Sequence, residues 1–204
     1  MKNWQSWMIA LARFARVTRW MQSNRTTAAL ARRFVGGSSA EEAIAAARRL
    51  RQAGFKASLY CLGEYAADPE VIAETVRQKK VAAMLLRDAR LQVHLSIDPT
   101  RIGYGYDDAP GERTALEIGH VVQGLAIQQQ SGDERAVLML DMEDADYVTR
   151  TLALRDRLVA AGIPVAQTLQ AYLKRTADDL KPIIAAGGSV RLDRPLRRYP
   201  PRLH

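Results

Sequence analysis

Two short apolar segments, each followed at once by polar side chains, constrain the fold of this chain more than any other feature. The first, Val137 to Leu140, runs into Asp141, and the second, Ile163 to Leu169, runs into Gln170. The segment between them, residues 145–161, has the composition and length of a helix. A strand, a crossover helix and a second strand make a parallel pair, so Asp141 and Gln170 should lie at the carboxyl edge of one sheet. In α/β barrels that edge carries the catalytic side chains, so the sequence predicts an enzyme pocket there.

The same alternation of strand and helix continues through the middle of the chain. Helices are predicted over 39–53, 69–88, 112–129 and 145–161 and from 176, and strands over 55–62, 91–97, 137–140, 163–169 and 189–192. No glycine-rich phosphate-binding turn follows the first of these strands, and residues 103–111 are predicted to be a flexible loop. We predict an α/β fold, a partial (β/α)8 TIM-type barrel that ends at about the fifth strand and carries N-terminal helices. A small doubly wound sheet is the alternative. A complete barrel needs about 250 residues, and this chain has 204.

The net charge of +8 comes from the two ends of the chain rather than from its middle. Residues 1–40 hold seven basic side chains and no acidic one, and residues 191–204 hold five arginines against Asp193. The middle of the chain is mildly acidic, and neither end has a recognisable nucleic-acid-binding motif, so we predict no nucleic-acid partner. Cys61 is the only cysteine, which excludes an intrachain disulfide.

The N-terminal segment has apolar residues at roughly helical spacing, with arginines among them. The apolar residues are Trp4, Trp7, Met8 and Leu11, with Val17, Trp20 and Met21 further on, and Arg13, Arg16 and Arg19 lie among them. Such a helix can close the bottom of a barrel with its arginines in solvent, or it can lie on an anionic membrane surface. The first interpretation is preferred, and peripheral membrane contact stays open.

Several polar residues at the predicted strand ends are candidates for chemistry. Asp141 directly follows a strand, whereas Asp144 and Asp146 suit the first turn of a helix, where acids are favourable. A metal site in this acidic cluster is a further alternative, although no His or Cys is nearby. The Gln170 amide can both donate and accept, which suits the edge of a heterocycle such as a flavin. The other candidates are Arg191 and Glu64, which end strands, and His94, which reads more readily as a core histidine than as a catalyst.

Six segments of the chain together resemble the proline dehydrogenase family of flavin-dependent enzymes. They occur in the order of the family and span about residues 30 to 192, and each alone is weakly specific. They are Arg33 to Gly37, Ser58 to Tyr65, Ser96 to Thr100 with Ile102 to Tyr104, Leu140 to Asp144, Thr168 to Arg175, and Val190 to Leu192.

The resemblance implies a barrel that holds non-covalent FAD and oxidises L-proline to 1-pyrroline-5-carboxylate by hydride transfer to the flavin. It implies Asp141 and Arg191 as active-site residues, and Met142, through its backbone, and Gln170 as FAD contacts. His94 stands where the family has a lysine that helps to hold the substrate carboxylate. The implied partners are L-proline and an electron acceptor, a membrane quinone being one candidate. The implied location is the cytoplasm, with contact at the inner face of the membrane.

After Leu192 the sequence departs from the family. The family continues into a glycine-containing FAD-binding turn, whereas this chain continues into an Arg/Pro-rich tail. We therefore divide it into a basic N-terminal helical segment (1–37), an incomplete barrel (38–192) and an aberrant tail (193–204), and we interpret the tail as the product of a shifted reading frame or a truncated gene. Little proline oxidation is expected from the 204-residue polypeptide, and an inactive remnant unable to hold flavin is the alternative.

Overall fold

The computed structural model describes residues 35–61, 66–105, 107–128 and 135–194. The N-terminal helical segment lies almost wholly outside these residues, as do Glu64 and most of the Arg/Pro-rich tail. In chain order the described elements are α1 (Ala40–Gln52), α2 (Pro69–Asp88), β1 (His94–Ile97), a 3-10 turn (Pro99–Ile102), α3 (Asp108–Gln128), β2 (Val137–Leu140), a 3-10 turn (Ala145–Tyr147), α4 (Val148–Ala160), β3 (Val165–Gln170), α5 (Thr176–Ala185) and β4 (Ser189–Asp193).

The four strands form one parallel sheet in the order β1-β2-β3-β4. A helix connects each strand to the next, as expected for a partial β/α barrel. The registers pair Ile97 with Leu140 and Thr168 with Arg191. The polar residues that follow the strands are therefore brought to one edge, and the predicted fold class is confirmed.

The hydrophobic core lies between one face of the sheet and the helices. Alternate strand residues point to this side, because side chains along a strand alternate between faces. Leu95 and Ile97 of β1 and Leu138 and Leu140 of β2 are almost fully buried here. They belong to one cluster with residues of α2, α3 and α4, which include Leu86, Ile118, Val122, Leu154 and Leu158. The residues between them in sequence, Ser96 and Met139, are left to the opposite face.

Local signals at the helix ends account for the helix boundaries. The Ser39 hydroxyl accepts a hydrogen bond from the Glu42 N–H at 3.3 Å and caps α1. Asp68 caps α2, and Pro69 occupies its first turn, where a missing N–H costs nothing. The predicted flexible loop 103–111 is wrong at its end, because α3 already begins at Asp108 and residues 108–111 are helical. The Asp107 carboxylate accepts from the Ala109 N–H, and the Tyr104 side chain is buried.

Of the predicted first strand, residues 55–62, the described part (55–61) forms a single parallel bridge, between Leu59 and Leu95. The Leu59 N–H donates to the His94 carbonyl, and the Ser96 N–H donates to the Leu59 carbonyl. The next carbonyl in this ladder, that of Ser96, accepts a hydrogen bond from the Lys79 ammonium at 2.7 Å. A helix lysine thus occupies the position at which the Cys61 N–H would continue the strand.

Gly111 in the first turn of α3 allows the helix to pass against the backbone of Tyr104. A Cβ at this position would lie 2.2 Å from the Tyr104 Cα. We expect Gly111→Ala to lower the free energy of unfolding by about 1 to 3 kcal/mol, because backbone cannot move aside as a side chain can. Gly124→Ala in the same helix is the control: its Cβ meets nothing within 4 Å, and it should stabilise the helix by about 0.5 to 1 kcal/mol. Urea unfolding of both variants checks this, and equal effects would contradict it.

Candidate active site at the carboxyl end of the sheet

Asp141 receives hydrogen bonds from side chains of three strands. The Thr168 hydroxyl of β3 donates to Asp141 Oδ1 at 3.0 Å, and the Arg191 guanidinium of β4 donates to the same oxygen at 2.6 Å. The Ser96 hydroxyl of β1 donates to Oδ2. The Asp141 side chain is only 14% exposed. Asp141 is thus the centre of a polar cluster on the face of the sheet opposite the hydrophobic core.

Gln170 lies on the same face, because it follows Thr168 by two residues in β3. Its amide nitrogen donates to the Glu143 carbonyl at 2.5 Å. Its amide oxygen is buried and has no hydrogen-bond partner among the described residues. A buried acceptor without a donor is costly. Gln170 therefore has one free acceptor and lies on the same face of the sheet as Asp141.

Arg191, predicted to end a strand, lies in the middle of β4 and connects the cluster to solvent. It donates to Asp141 and also forms an ion pair with Asp193 at 3.2 Å, and its side chain is 43% exposed. The two acids fix the direction of the guanidinium, while its exposed part is open to an anionic group. Met142, the other predicted contact, is half-buried between Asp141 and Glu143.

His94 lies at the amino end of β1, the opposite end of the strand from the residues that follow it. Its Nδ1 is 2.7 Å from the Ser58 hydroxyl. Burial lowers the pKa of His94, and the positive charge of Arg191 lowers it further, which favours the neutral imidazole. His94 thus lies at the amino end of its strand, whereas Gln170 lies at the carboxyl end of β3. A role for His94 in substrate binding stays a prediction.

Two ionisable residues near the carboxyl end of β1 were not among the predicted site residues. Asp98 follows β1 as Asp141 follows β2; it is 3% exposed, and its Oδ2 has no hydrogen-bond partner among the described residues. Burial raises the pKa of Asp98 to about 7. Lys79 of α2 is 1% exposed, and its ammonium lies 5.8 Å from the centre of the Tyr60 ring. Burial lowers the pKa of Lys79.

A groove of about 400 Å³ lies elsewhere, between α2 and α3. Mostly apolar side chains line it, including Ile72, Val76, Ile102 and Pro110. It does not include Asp141, Gln170 or Arg191, so it is separate from the strand-end cluster. Within the described residues, no group of three or more His, Cys, Asp or Glu side chains could hold a metal ion. The metal alternative for the acidic cluster therefore gains no support.

The chain is similar in sequence to proline dehydrogenases. Proline dehydrogenase 1 of Bacillus subtilis subsp. natto is 29% identical over 151 residues, which cover 74% of this chain and 47% of that protein. Proline dehydrogenase of Deinococcus radiodurans is 30% identical over 179 residues, 84% of this chain and 56% of that protein. The chain thus spans about half the length of these relatives.

Solved structures support the fold. Proline utilization A from Bdellovibrio bacteriovorus, inactivated by N-propargylglycine, matches with a TM-score of 0.62 and 18% identity over 81% of this chain and 20% of that chain. Proline utilization A from Corynebacterium freiburgense matches with a TM-score of 0.56 and 22% identity over 94% of this chain and 20% of that one. The sequence model of the proline dehydrogenase family matches residues 43–192. Because that match covers well over half of the sequence and ends within β4, the chain belongs to the proline dehydrogenase family.

Proposed function

We propose that the strand-end cluster serves the flavin-dependent oxidation of L-proline to 1-pyrroline-5-carboxylate. The observation that carries this proposal is the convergence on one edge of a held carboxylate, a guanidinium and a free buried amide acceptor. Family membership supports the same chemistry. The proposal comprises the activity of this chain, its binding of FAD and the roles of its single residues.

The residues at this edge fit FAD. The buried Gln170 oxygen needs a donor, and a flavin ring carries an N–H that can supply one. Gln170 and the Met142 backbone would hold the ring on the side of the sheet where Asp141 lies. When bound, FAD accepts the hydride that leaves proline. The protein supplies the orientation and the electrostatics.

Asp141 and Arg191 would set the charge distribution around the substrate. Ser96 and Thr168 hold the carboxylate of Asp141 from two sides, so it cannot turn away from Arg191. The exposed part of the Arg191 guanidinium can then meet an anionic group such as the substrate carboxylate. His94, being neutral, would offer that group a hydrogen bond rather than a charge.

The electron acceptor is proposed from the family resemblance alone, a membrane quinone being one candidate. The basic N-terminal segment that would contact a membrane surface lies outside the described residues. No helix among the described residues is long and apolar enough to cross a bilayer.

A second candidate is a non-enzymatic chain that does not retain flavin. The exposure of β4 favours it: every residue of this strand except half-buried Val190 is exposed, and Leu192 is 51% exposed. Parallel strands are normally covered on both faces. An exposed β4 leaves Arg191 less firmly held than a covered strand would.

Flavin loading separates the two candidates. The purified 204-residue polypeptide is incubated with FAD and desalted, and its visible absorbance is recorded before and after anaerobic addition of L-proline. The proposed function predicts retained flavin whose absorbance proline bleaches, at a rate well below that of complete family members. Failure to retain flavin would support the second candidate. Retained flavin that proline does not bleach would argue against proline as substrate.

The variant Asp141→Ala tests the site within the same assay. We expect it to slow bleaching by about 100-fold, because a charge held in place at the reaction centre is lost. The shift in melting temperature should be small in comparison. Asp193→Ala is the control, since it removes the other acid beside Arg191 and leaves Asp141 in place. A large loss of stability with an unchanged rate would show a structural role for Asp141.

A further inference from the structure

The segment that carries Asp141 and Met142, residues 141–144, belongs to neither a helix nor a strand, yet it is tied to the strands on both sides. On the β1 side, the Glu143 carboxylate accepts hydrogen bonds from the Thr100 N–H at 2.9 Å and from the Thr100 hydroxyl. On the β3 side, the Gln170 amide nitrogen donates to the Glu143 carbonyl at 2.5 Å. Both ties converge on Glu143.

We propose that Glu143 is a positioning residue that clamps this segment between Thr100 and Gln170 and so holds Asp141 and the Met142 backbone at the site. Its role for the flavin rests on the proposed function. In this role Glu143 touches neither substrate nor flavin. It acts through the geometry of its hydrogen bonds.

The residue that anchors the clamp is itself fixed. Thr100 is fully buried in the 3-10 turn that follows β1, and its carbonyl accepts from the Ala66 N–H at 3.2 Å. At the start of the segment, the Asp141 N–H donates to the Ile97 carbonyl at 2.9 Å. The backbone of Asp141 is therefore held by β1, and Glu143, two residues later, is held by Thr100. Because Thr100 is buried and hydrogen-bonded, it holds Glu143 in place more firmly than an exposed residue would.

The clamp also accounts for the free acceptor of Gln170. An amide whose nitrogen donates to the Glu143 carbonyl cannot rotate to exchange its oxygen and nitrogen without losing that bond. The oxygen is thereby aimed away from Glu143 and stays unpartnered among the described residues. If the segment moved, the Gln170 amide would lose its orientation together with Asp141.

Substitutions at Glu143 can separate the effect of its hydrogen bonds from the effect of its negative charge. A glutamine keeps both bonds, because its oxygen accepts from the Thr100 N–H while its NH₂ donates to the Thr100 hydroxyl. An alanine removes both. Glu143→Gln should therefore behave like the wild type, and Glu143→Ala should not.

The test is hydrogen exchange of the backbone amides in a peptide that spans the segment, combined with FAD titration of the same proteins. In Glu143→Ala we expect exchange in this peptide to accelerate about 10-fold and FAD to bind about 10-fold more weakly. Glu143→Gln should stay within about 3-fold of the wild type on both measures. Thr100→Val, which keeps the backbone N–H and removes only the hydroxyl, should fall between them and serves if the alanine variant does not fold.

Glu112→Ala is the matched control, since the Glu112 carboxylate also bridges two elements, but these are α3 and α4, through Arg157. It should leave exchange in the 141–144 peptide unchanged. Exchange that is equally fast in the Gln and Ala variants would overturn the proposal in favour of a role for the charge. Unchanged exchange in Glu143→Ala would overturn it outright. Because hydrogen exchange is measured without flavin, it tests whether Glu143 holds the segment in place even if the polypeptide binds no FAD.

Discussion

Replacing Lys79 with alanine is expected to lower the free energy of unfolding by about 3 kcal/mol, because a long side chain leaves a cavity in a packed region. Lys79 is 1% exposed, and its ammonium donates to the Ser96 carbonyl at 2.7 Å. The same change leaves that carbonyl without its donor where the bridge between Leu59 and Leu95 ends. Urea unfolding monitored by circular dichroism measures the loss.

Methionine at the same position separates the stem of Lys79 from its charge. We expect Lys79→Met to lose less than about 1.5 kcal/mol, because it keeps the packing and removes the cost of a buried charge along with one hydrogen bond. Lys80→Ala is the control: Lys80 pairs with Glu117 on the surface, where ion pairs contribute roughly 0 to 1 kcal/mol. Equal losses for the Ala and Met variants would show that the ammonium, rather than the stem, provides the stability.

The pH dependence provides a second check on Lys79. Burial lowers the pKa of Lys79 in the folded protein. Between that lowered pKa and the ordinary lysine pKa, the unfolded chain binds more protons than the folded one, so stability rises with pH in this range. Lys79→Met lacks this group and should lack that part of the rise.

The parts of the fold that depend on local chemistry could be predicted from the sequence. Pro69 after Asp68 predicts the start of α2, and the structure begins the helix there. The run Val137 to Leu140, bounded by Asp141, predicts β2 with its observed bounds. Each prediction needs only the residues of one segment, because caps and apolar runs act over a few positions.

The strand over residues 55–62 could not be bounded in that way. Its early end coincides with the bond from Lys79, which is 17 positions beyond Leu62 in sequence and lies on a helix. A lysine within a helical pattern usually lies in solvent, so nothing local marks Lys79 as buried. Tertiary contact, rather than propensity, decides where that strand ends.

The candidate site shows the same division. Asp141 and Gln170 could be selected because they come at the ends of apolar strands. Arg191 is predicted to end the last strand, but it lies in the middle of β4. The residues that hold Asp141 in place could be found only in part: Thr168 lies two residues before Gln170 and so shares its face, whereas the pairing of Ser96 with Asp141 depends on the register of β1 and β2. Register is a property of the assembled sheet, and sequence spacing alone does not fix it.

The second large effect that we expect is a pH-dependent change in stability when Asp98 is replaced. Its Oδ2 is buried and without a hydrogen-bond partner among the described residues, and the Tyr60 hydroxyl donates to the carboxyl group. Burial raises the pKa of Asp98 to about 7 from an ordinary value of 3.8. Because the folded-state pKa is the higher one, the folded protein favours the protonated acid. The stability that this gives is fully present below the unfolded pKa and is lost as pH rises through about 7.

Asp98→Asn should therefore stabilise the protein more at pH 8 than at pH 5. The amide keeps the shape of the protonated acid and still accepts from the Tyr60 hydroxyl, and it never ionises. We expect its advantage over the wild type to grow by about 2 to 3 kcal/mol between the two pH values. Asp178→Asn is the control, since the Asp178 side chain is 79% exposed and its replacement should change stability little at either pH. If Asp98→Asn instead destabilises the protein equally at both, then Asp98 is ionised in the folded state, and its charge is compensated by Lys79, whose positive charge acts to lower the Asp98 pKa.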